Sequence, residues 1–230
     1  MKWPAWFEWQ ALFQAWALFA KGLGQTVVTS ALALVLSLAI GAVIGTLGTS
    51  PWRVARSVNR IYVDLIQNLP LVSLVILFFY GLPHIHMTVS VFWTGVICLG
   101  VYHGAYVGEV VRAGIQSIHR GQLEAATSQG FTYGQAMRHV ILPQALQVIL
   151  PPLTNQAVSL IKNSSILNMV SGGDLMAVAD AWAGNNGYYV PAYLLIWALY
   201  FALCFPLAQW ARRLEQRVMK ARGQEVQAAA

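Results

Sequence analysis

Charge is what this sequence of 230 residues has least of: Asp, Glu, Lys and Arg together make up 10%. A soluble domain carries about a quarter, so a water-facing globule is excluded. Cysteine is nearly absent as well. Cys98 and Cys204 are the two present, and both lie inside apolar runs, which excludes a disulfide framework. No Gly-x-x-x-x-Gly-Lys-Ser/Thr segment occurs, so the chain has no phosphate loop for ATP. Metal ligands are equally sparse. His84 and His86 form an isolated His-x-His without companion acids at ligand spacing, and an ordinary loop explains them better.

What is abundant is apolar: 57% of residues are hydrophobic. Crossing the hydrocarbon core takes about 20 mostly apolar residues, and five stretches qualify. They run over about 24–48, 58–80, 89–111, 146–170 and 189–210. The expected fold is an all-α polytopic membrane protein with five transmembrane helices, flanked by an interfacial helix over 1–21 and a basic tail over 216–230. Within the membrane domain, 22–215, a cytoplasmic loop occupies about 120–142.

Orientation follows from the basic residues, which favour the cytoplasmic side. Eleven of the fourteen Lys and Arg fall in the links after spans one and three and in the C-terminal tail. The segments 81–88 and 171–188 contain none. The N-terminus is therefore expected outside and the C-terminus inside. This asymmetry accounts for the net charge of +6, and nucleic-acid binding is unnecessary. In the first 20 residues, Trp6, Trp9, Phe13 and Trp16 recur at helical spacing, which suits a helix in the interface plane of the lipid.

Two spans are more polar than lipid-facing helices should be. Span two is interrupted at Gln67-Asn68-Leu69-Pro70, where proline removes a backbone donor. Such a break is either a simple kink or a midplane transport site. Span four carries Asn155, Lys162, Asn163, Ser164 and Ser165, and an ionisable residue within a span marks a functional site by default. A structural role for Lys162, paired with an acid such as Asp64 or one on a partner, or snorkelling outward, is the alternative. Tyr102, His103 and Tyr106 sit beside Gly100, Gly104 and Gly108 on span three, a small-xxx-small face. Glu109 and Arg112 form a local i,i+3 pair.

The link between spans three and four is the most specific stretch. Residues 122–129 favour a helix, Gly130 stands where a left-handed C′ glycine belongs, and Thr132 with Gln135 has capping-box spacing. The second short helix is expected to end as Ile141-Leu142-Pro143 turns toward the membrane. The result is a helix-turn-helix suited to docking on another protein.

Glu124-Ala125-Ala126, Gly130, and then Leu142-Pro143 resemble the EAA loop of ABC importer permeases. Gly24-Gln25-Thr26, Leu69-Pro70-Leu71, Gly104-Ala105-Tyr106, Lys162-Asn163-Ser164-Ser165 and Gly173-Asp174-Leu175-Met176 are similar to the polar amino-acid branch of that family. The resemblance implies a transport subunit, not an enzyme. Its partners would be an ABC ATPase dimer that carries ATP and Mg, a second permease subunit of the same or a homologous chain, and an extracytoplasmic amino-acid-binding protein. It implies that the loop docks on the ATPase. Asn68, Leu69, Pro70, Tyr102, Tyr106, Asn155 and 162–165 would line or support the substrate path. Two departures stand out. Gln67-Asn68-Leu69 replaces the Arg-Gly-Thr common in the branch, and Asn163 replaces an Asp. With no acid at 163, Lys162 is less neutralised, which favours a substrate bearing a side-chain carboxylate or amide. Glutamate, aspartate or glutamine is therefore the expected cargo. The alternative function is an ion-coupled secondary transporter or channel without an ATPase.

Overall fold

The computed structural model describes residues 4–228, with side chains through Val218. Lys2 and the side chains of Lys220 and Arg222 lie outside the described residues. The described residues form ten α-helices: α1 (Trp6–Gln14), α2 (Trp16–Thr49), α3 (Arg53–Gln67), α4 (Leu71–Gly81), α5 (Val91–Gln116), α6 (Arg120–Ser128), α7 (Tyr133–Ala136), α8 (Leu142–Asn163), α9 (Leu175–Asn186) and α10 (Tyr189–Ala228). No strand occurs among the described residues.

Length and composition qualify α2, α5 and α10 to cross a membrane, and α3 with α4 makes a fourth if the broken pair is one span. The expected fourth span behaves differently. The 22 residues of α8 are long enough, but Pro151, Pro152, Thr154, Asn155, Gln156 and Lys162 make it markedly more polar than those helices. It also ends at Asn163, and Ser164–Val170 winds as a tighter 3₁₀ turn. Ser164 and Ser165 favour this tightening, because their hydroxyls donate to the carbonyls of Ile161 (2.7 Å) and Lys162 (2.8 Å). At the other end of the chain, α2 already begins at Trp16, so the boundary expected at residue 21 falls inside a helix.

The chain divides into two compact units. The first comprises the described residues up to Leu36, with Leu69–Tyr102 and Val158–Pro206. One of its cores gathers Leu12 and Phe19 with Leu175, Trp182 and Ile196; another gathers Ala33, Val75, Leu99, Leu160 and Leu167. The loop entering α9 is pinned to α2. Gln25 Nε2 donates to the Gly172 carbonyl (2.6 Å), and the Leu175 N–H donates to Thr26 Oγ1 (2.9 Å). Asp174 caps α9 by accepting from the Met176 N–H at 3.1 Å. Its other oxygen is buried without a partner, and burial pushes the carboxyl up to about 6 despite the backbone N–H groups that favour the ionised form.

The second unit holds Ser37–Asn68, His103–Ala157 and the chain from Leu207 onward. Here α2 and α5 meet backbone to backbone. A Cβ on Gly45 would stand 2.5 Å from the Gly108 carbonyl oxygen and 2.6 Å from Val111 Cβ. The small-xxx-small faces are thus intramolecular packing surfaces. α3 is tied to the same pair, since buried Asn59 donates to the Ile44 carbonyl at 3.0 Å. A third core joins Val107, Val111 and Ile115 to Met137, Ile141, Ala145 and Ile149.

Two stability experiments follow. Gly45→Val should destabilise the protein by roughly 2–3 kcal/mol through overpacking, read as a lower thermal midpoint in detergent. Gly24→Ala, where an added Cβ meets nothing within 4 Å, should not. For Asp174, the folded pKa of about 6 exceeds the ordinary 3.8. Its stabilising contribution is therefore complete below the lower value and lost as pH rises through the higher one. Asp174→Asn keeps an acceptor for the α9 cap and cannot ionise. Its stability should vary less than the wild type's between about pH 5 and 8 and exceed it at the upper end by on the order of 1 kcal/mol, read as a higher thermal midpoint there.

Candidate functional site

The loop between α5 and α8 is built by local chemistry. α6 starts at His119, whose Nδ1 accepts from the Gly121 N–H (3.1 Å). It ends in a Schellman turn: the Gly130 N–H donates to the Thr127 carbonyl (3.0 Å) and the Phe131 N–H to the Ala126 carbonyl (3.1 Å). Gly130 has φ +90° and no neighbour within 4 Å of a would-be Cβ, so conformation rather than space demands glycine there. The capping box closes on α7, with the Thr132 N–H donating to Gln135 Oε1 (2.8 Å) and the Gln135 N–H to Thr132 Oγ1 (3.4 Å).

Ala126 and Ala136 are buried, whereas Glu124, Ala125, Gly130, Phe131 and Tyr133 are exposed. The loop therefore has a small inner face against its own unit and an open outer one. Tyr133 adds a long-range tie by donating its hydroxyl to the Thr49 carbonyl at the end of α2 (3.1 Å). The expected stop at Leu142-Pro143 is absent. Helix runs on from α7 through a π turn, Met137–Ile141, directly into α8. Pro143 has no N–H for the ordinary ladder, and the wider turn, in which the Leu142 N–H reaches the Met137 carbonyl, absorbs the mismatch. Leu142 is half-buried beside the third core, and Pro143 is exposed.

The expected path residues divide between the units. In the second unit, Asn68 caps α3, its Nδ2 donating to the Asp64 carbonyl at 2.7 Å. Tyr106 packs near the ring of buried His103 (6.2 Å), which contacts Gln156 Oε1 (3.3 Å), and Asn155 is exposed. In the first unit, exposed Leu69 leads to Pro70, the N-cap of α4, which offers no side-chain acceptor to that helix's first N–H groups. Tyr102 packs on the core around Leu99 and Leu160. Lys162 is exposed, Asn163 and Ser165 are half-buried, and Ser164 is buried. Lys162 forms no ion pair: Glu109–Arg112 is the salt bridge present among the described residues. No single unit contains all ten residues.

Two features escaped the sequence reading. One is the set of buried hydroxyls around Asp174: the Tyr200 phenol faces Ser164, Thr26 and the Asp174 carboxyl. Only the fold joins these distant positions. The other is a polar cleft of about 640 Å³ between α3 and α5, lined by Arg53, Arg60, Asp64 and Gln67 on one side and Glu109 and Arg112 on the other. Its signal was available, because the polar residues of α3 share one arc of the helix. No group of three His, Cys, Asp or Glu able to hold a metal occurs among the described residues, and His84 Nδ1 contacts the Tyr80 carbonyl of its own turn (3.0 Å).

Residues 37–220 match the family described as binding-protein-dependent transport system inner membrane component. A probable glutamine ABC transporter permease of Bacillus subtilis, GlnM, is 37% identical over 91% of this chain and 97% of its own length. The glutamate/aspartate import permease GltJ of Escherichia coli is 33% identical over 69% of this chain and 70% of its own. The crystal structure of an amino acid ABC transporter with histidines superposes with a TM-score of 0.85 at 32% identity, covering 94% of this chain and 100% of that one. The methionine transporter MetNI, at 20% identity and a TM-score of 0.76 over 89% of this chain and 98% of that one, shares the fold. The chain thus belongs to the inner-membrane components of binding-protein-dependent transport systems, as a non-enzymatic permease subunit of an amino-acid ABC importer whose ATPase is a separate subunit.

Proposed function

We propose that this subunit forms the path for a polar amino acid, with glutamate, aspartate or glutamine as cargo, and takes its driving force through the 120–142 loop. The carrying observation is the loop's two-faced construction. The Schellman turn at Gly130 and the capping box at Thr132 fix a rigid turn whose inner alanines are buried and whose outer surface, with Glu124 and Ala125, is open. A tightly turned loop with an exposed outer face suits a groove on an ATPase.

In this reading the chain crosses five times, with its N-terminus outside, and α8 counts as the fourth crossing. Its polar residues then face protein or water, not lipid. The basic residues of 53–60, 112–138 and 212–222 mark the cytoplasmic side. The working assembly contains two ATPases, a second permease subunit and an extracytoplasmic binding protein, with ATP and Mg held by the ATPases. Closure of the ATPases moves the loop, and with it α5 and α8. The first turn of α4, uncapped by Pro70, offers N–H groups to the α-carboxylate of the cargo. Support for the cargo class comes from the absence of an acid at Asn163 and from relatives described as glutamine and glutamate/aspartate permeases.

The test is co-purification with the ATPase, reconstitution in vesicles, and ATP-driven uptake across a panel of amino acids. Uptake driven by an ion gradient without ATP would reject the reading. Gly130→Asp should insert normally yet lose roughly tenfold or more of ATP-driven uptake, because an L-residue at this φ strains the docking turn; full uptake would remove the loop from coupling. Lys162→Met should lower uptake severalfold by deleting a charge in the path. Unchanged rate and selectivity would make Lys162 structural only.

A further inference from the structure

Packing does not explain the polar cleft of the second unit, and orientation accounts for its arginines but not for Asp64, Gln67 or the cavity they line. On a helical projection at 100° per residue, α3 has three separate faces. Ala55, Asn59, Val63 and Ile66 are buried. Val54, Val58, Ile61 and Leu65 form an exposed apolar stripe. Arg53, Arg56, Arg60, Asp64 and Gln67 fall on the remaining arc and line the cleft. At 1.5 Å per residue this polar arc is about 21 Å long, and α3 turns into α4 through a bend of 94°. The cleft it lines, about 640 Å³, has room for water and a small polar solute.

Its charges are ordered and partly uncommitted. Arg112 is held by Glu109 and Gln116, and Arg56 donates to the Ser50 and Pro51 carbonyls (both 2.8 Å). Arg53 and Arg60 have no ion pair or hydrogen bond among the described residues, and the Asp64 carboxylate is likewise unpaired although it stands one turn from Arg60. From the Gln67 end the cleft therefore presents a negative group, then a positive one, then two more positive ones, each about one turn apart, or 5–6 Å. An amino acid with a side-chain carboxylate is the complement: ammonium, α-carboxylate, second carboxylate.

We propose that this cleft is an anion-selective exit vestibule for acidic amino acids. Asp64 receives the ammonium, Arg60 the α-carboxylate, and Arg53 with Arg56 the side-chain carboxylate. This rests on the amino-acid permease reading above and narrows it to acidic cargo. The walls, three cationic side chains against one free acid, concentrate anions at the mouth in a salt-dependent way.

The experiment uses the intact importer in vesicles. Wild-type ATP-driven uptake of at least one amino acid comes first; if none is taken up, the permease reading has failed, not this one. Binding of labelled glutamate and glutamine to the ATP-free complex is then measured for wild type, Arg53→Gln and Arg53→Lys. Arg53 is exposed, so both variants should fold. Arg53→Gln removes a partner of the side-chain carboxylate alone and should lose about tenfold in glutamate affinity and less than about twofold in glutamine affinity, with Arg53→Lys largely restored. Equal loss for both ligands, or loss for neither, overturns the proposal. So does an effect seen only in vesicles containing anionic lipid, which would make the cleft a headgroup site.

Discussion

Everything in the second unit hangs on two helices allowed to touch. Where lipid supplies no hydrophobic drive, helices associate by how closely their backbones approach, and glycine sets that distance for α2 and α5. With Gly45 against Gly108, α2 brings the Ile44 carbonyl within reach of Asn59, which anchors α3. The same segment of α5 offers Val107, Val111 and Ile115 to Met137 and Ile141, which seats the 120–142 loop. Remove the close approach and the cleft, the anchor and the loop's floor lose their common reference.

The first unit solves a different problem, that of polar groups in dry surroundings. Gln25 and Thr26 satisfy backbone groups of the loop before α9, and Ser164 and Ser165 turn back on their own helix. The account is nearly balanced. Buried oxygens of Ser30, Thr94, Asp174 and Tyr200 stand without a protein partner, all of them within this unit, and an unpaired buried oxygen costs more than a typical bond gains. Three of the four lie on the largely apolar helices α2, α5 and α10, and the fourth caps α9.

Local chemistry was legible in the sequence, and tertiary chemistry was not. The left-handed position of Gly130 and the Thr132–Gln135 box are contained within a few residues, so spacing alone discloses them. The Asn68–Pro70 break and the Glu109–Arg112 pair were legible for the same reason. The tie from Tyr133 to Thr49 and the meeting of Thr26 with Leu175 link distant positions that no local period encodes. The expected stop at Pro143 failed because proline penalises only the ordinary ladder, and a π turn is a way around it. The polar face of α3 was missed for another reason. Its arginines carry two signals at once, membrane orientation and the lining of a cleft, and only the first shows in the basic-residue count.

The π turn has a consequence for the register of the whole helical run. An α-helix advances about 100° per residue, so the extra residue held at Met137–Ile141 offsets the azimuth of everything that follows in α8. The π turn, which closes just before Leu142-Pro143, therefore sets the azimuth of Asn155 and Gln156 more than a dozen residues later. A regular ladder there would leave the composition of α8 intact while turning its polar side toward a different neighbour.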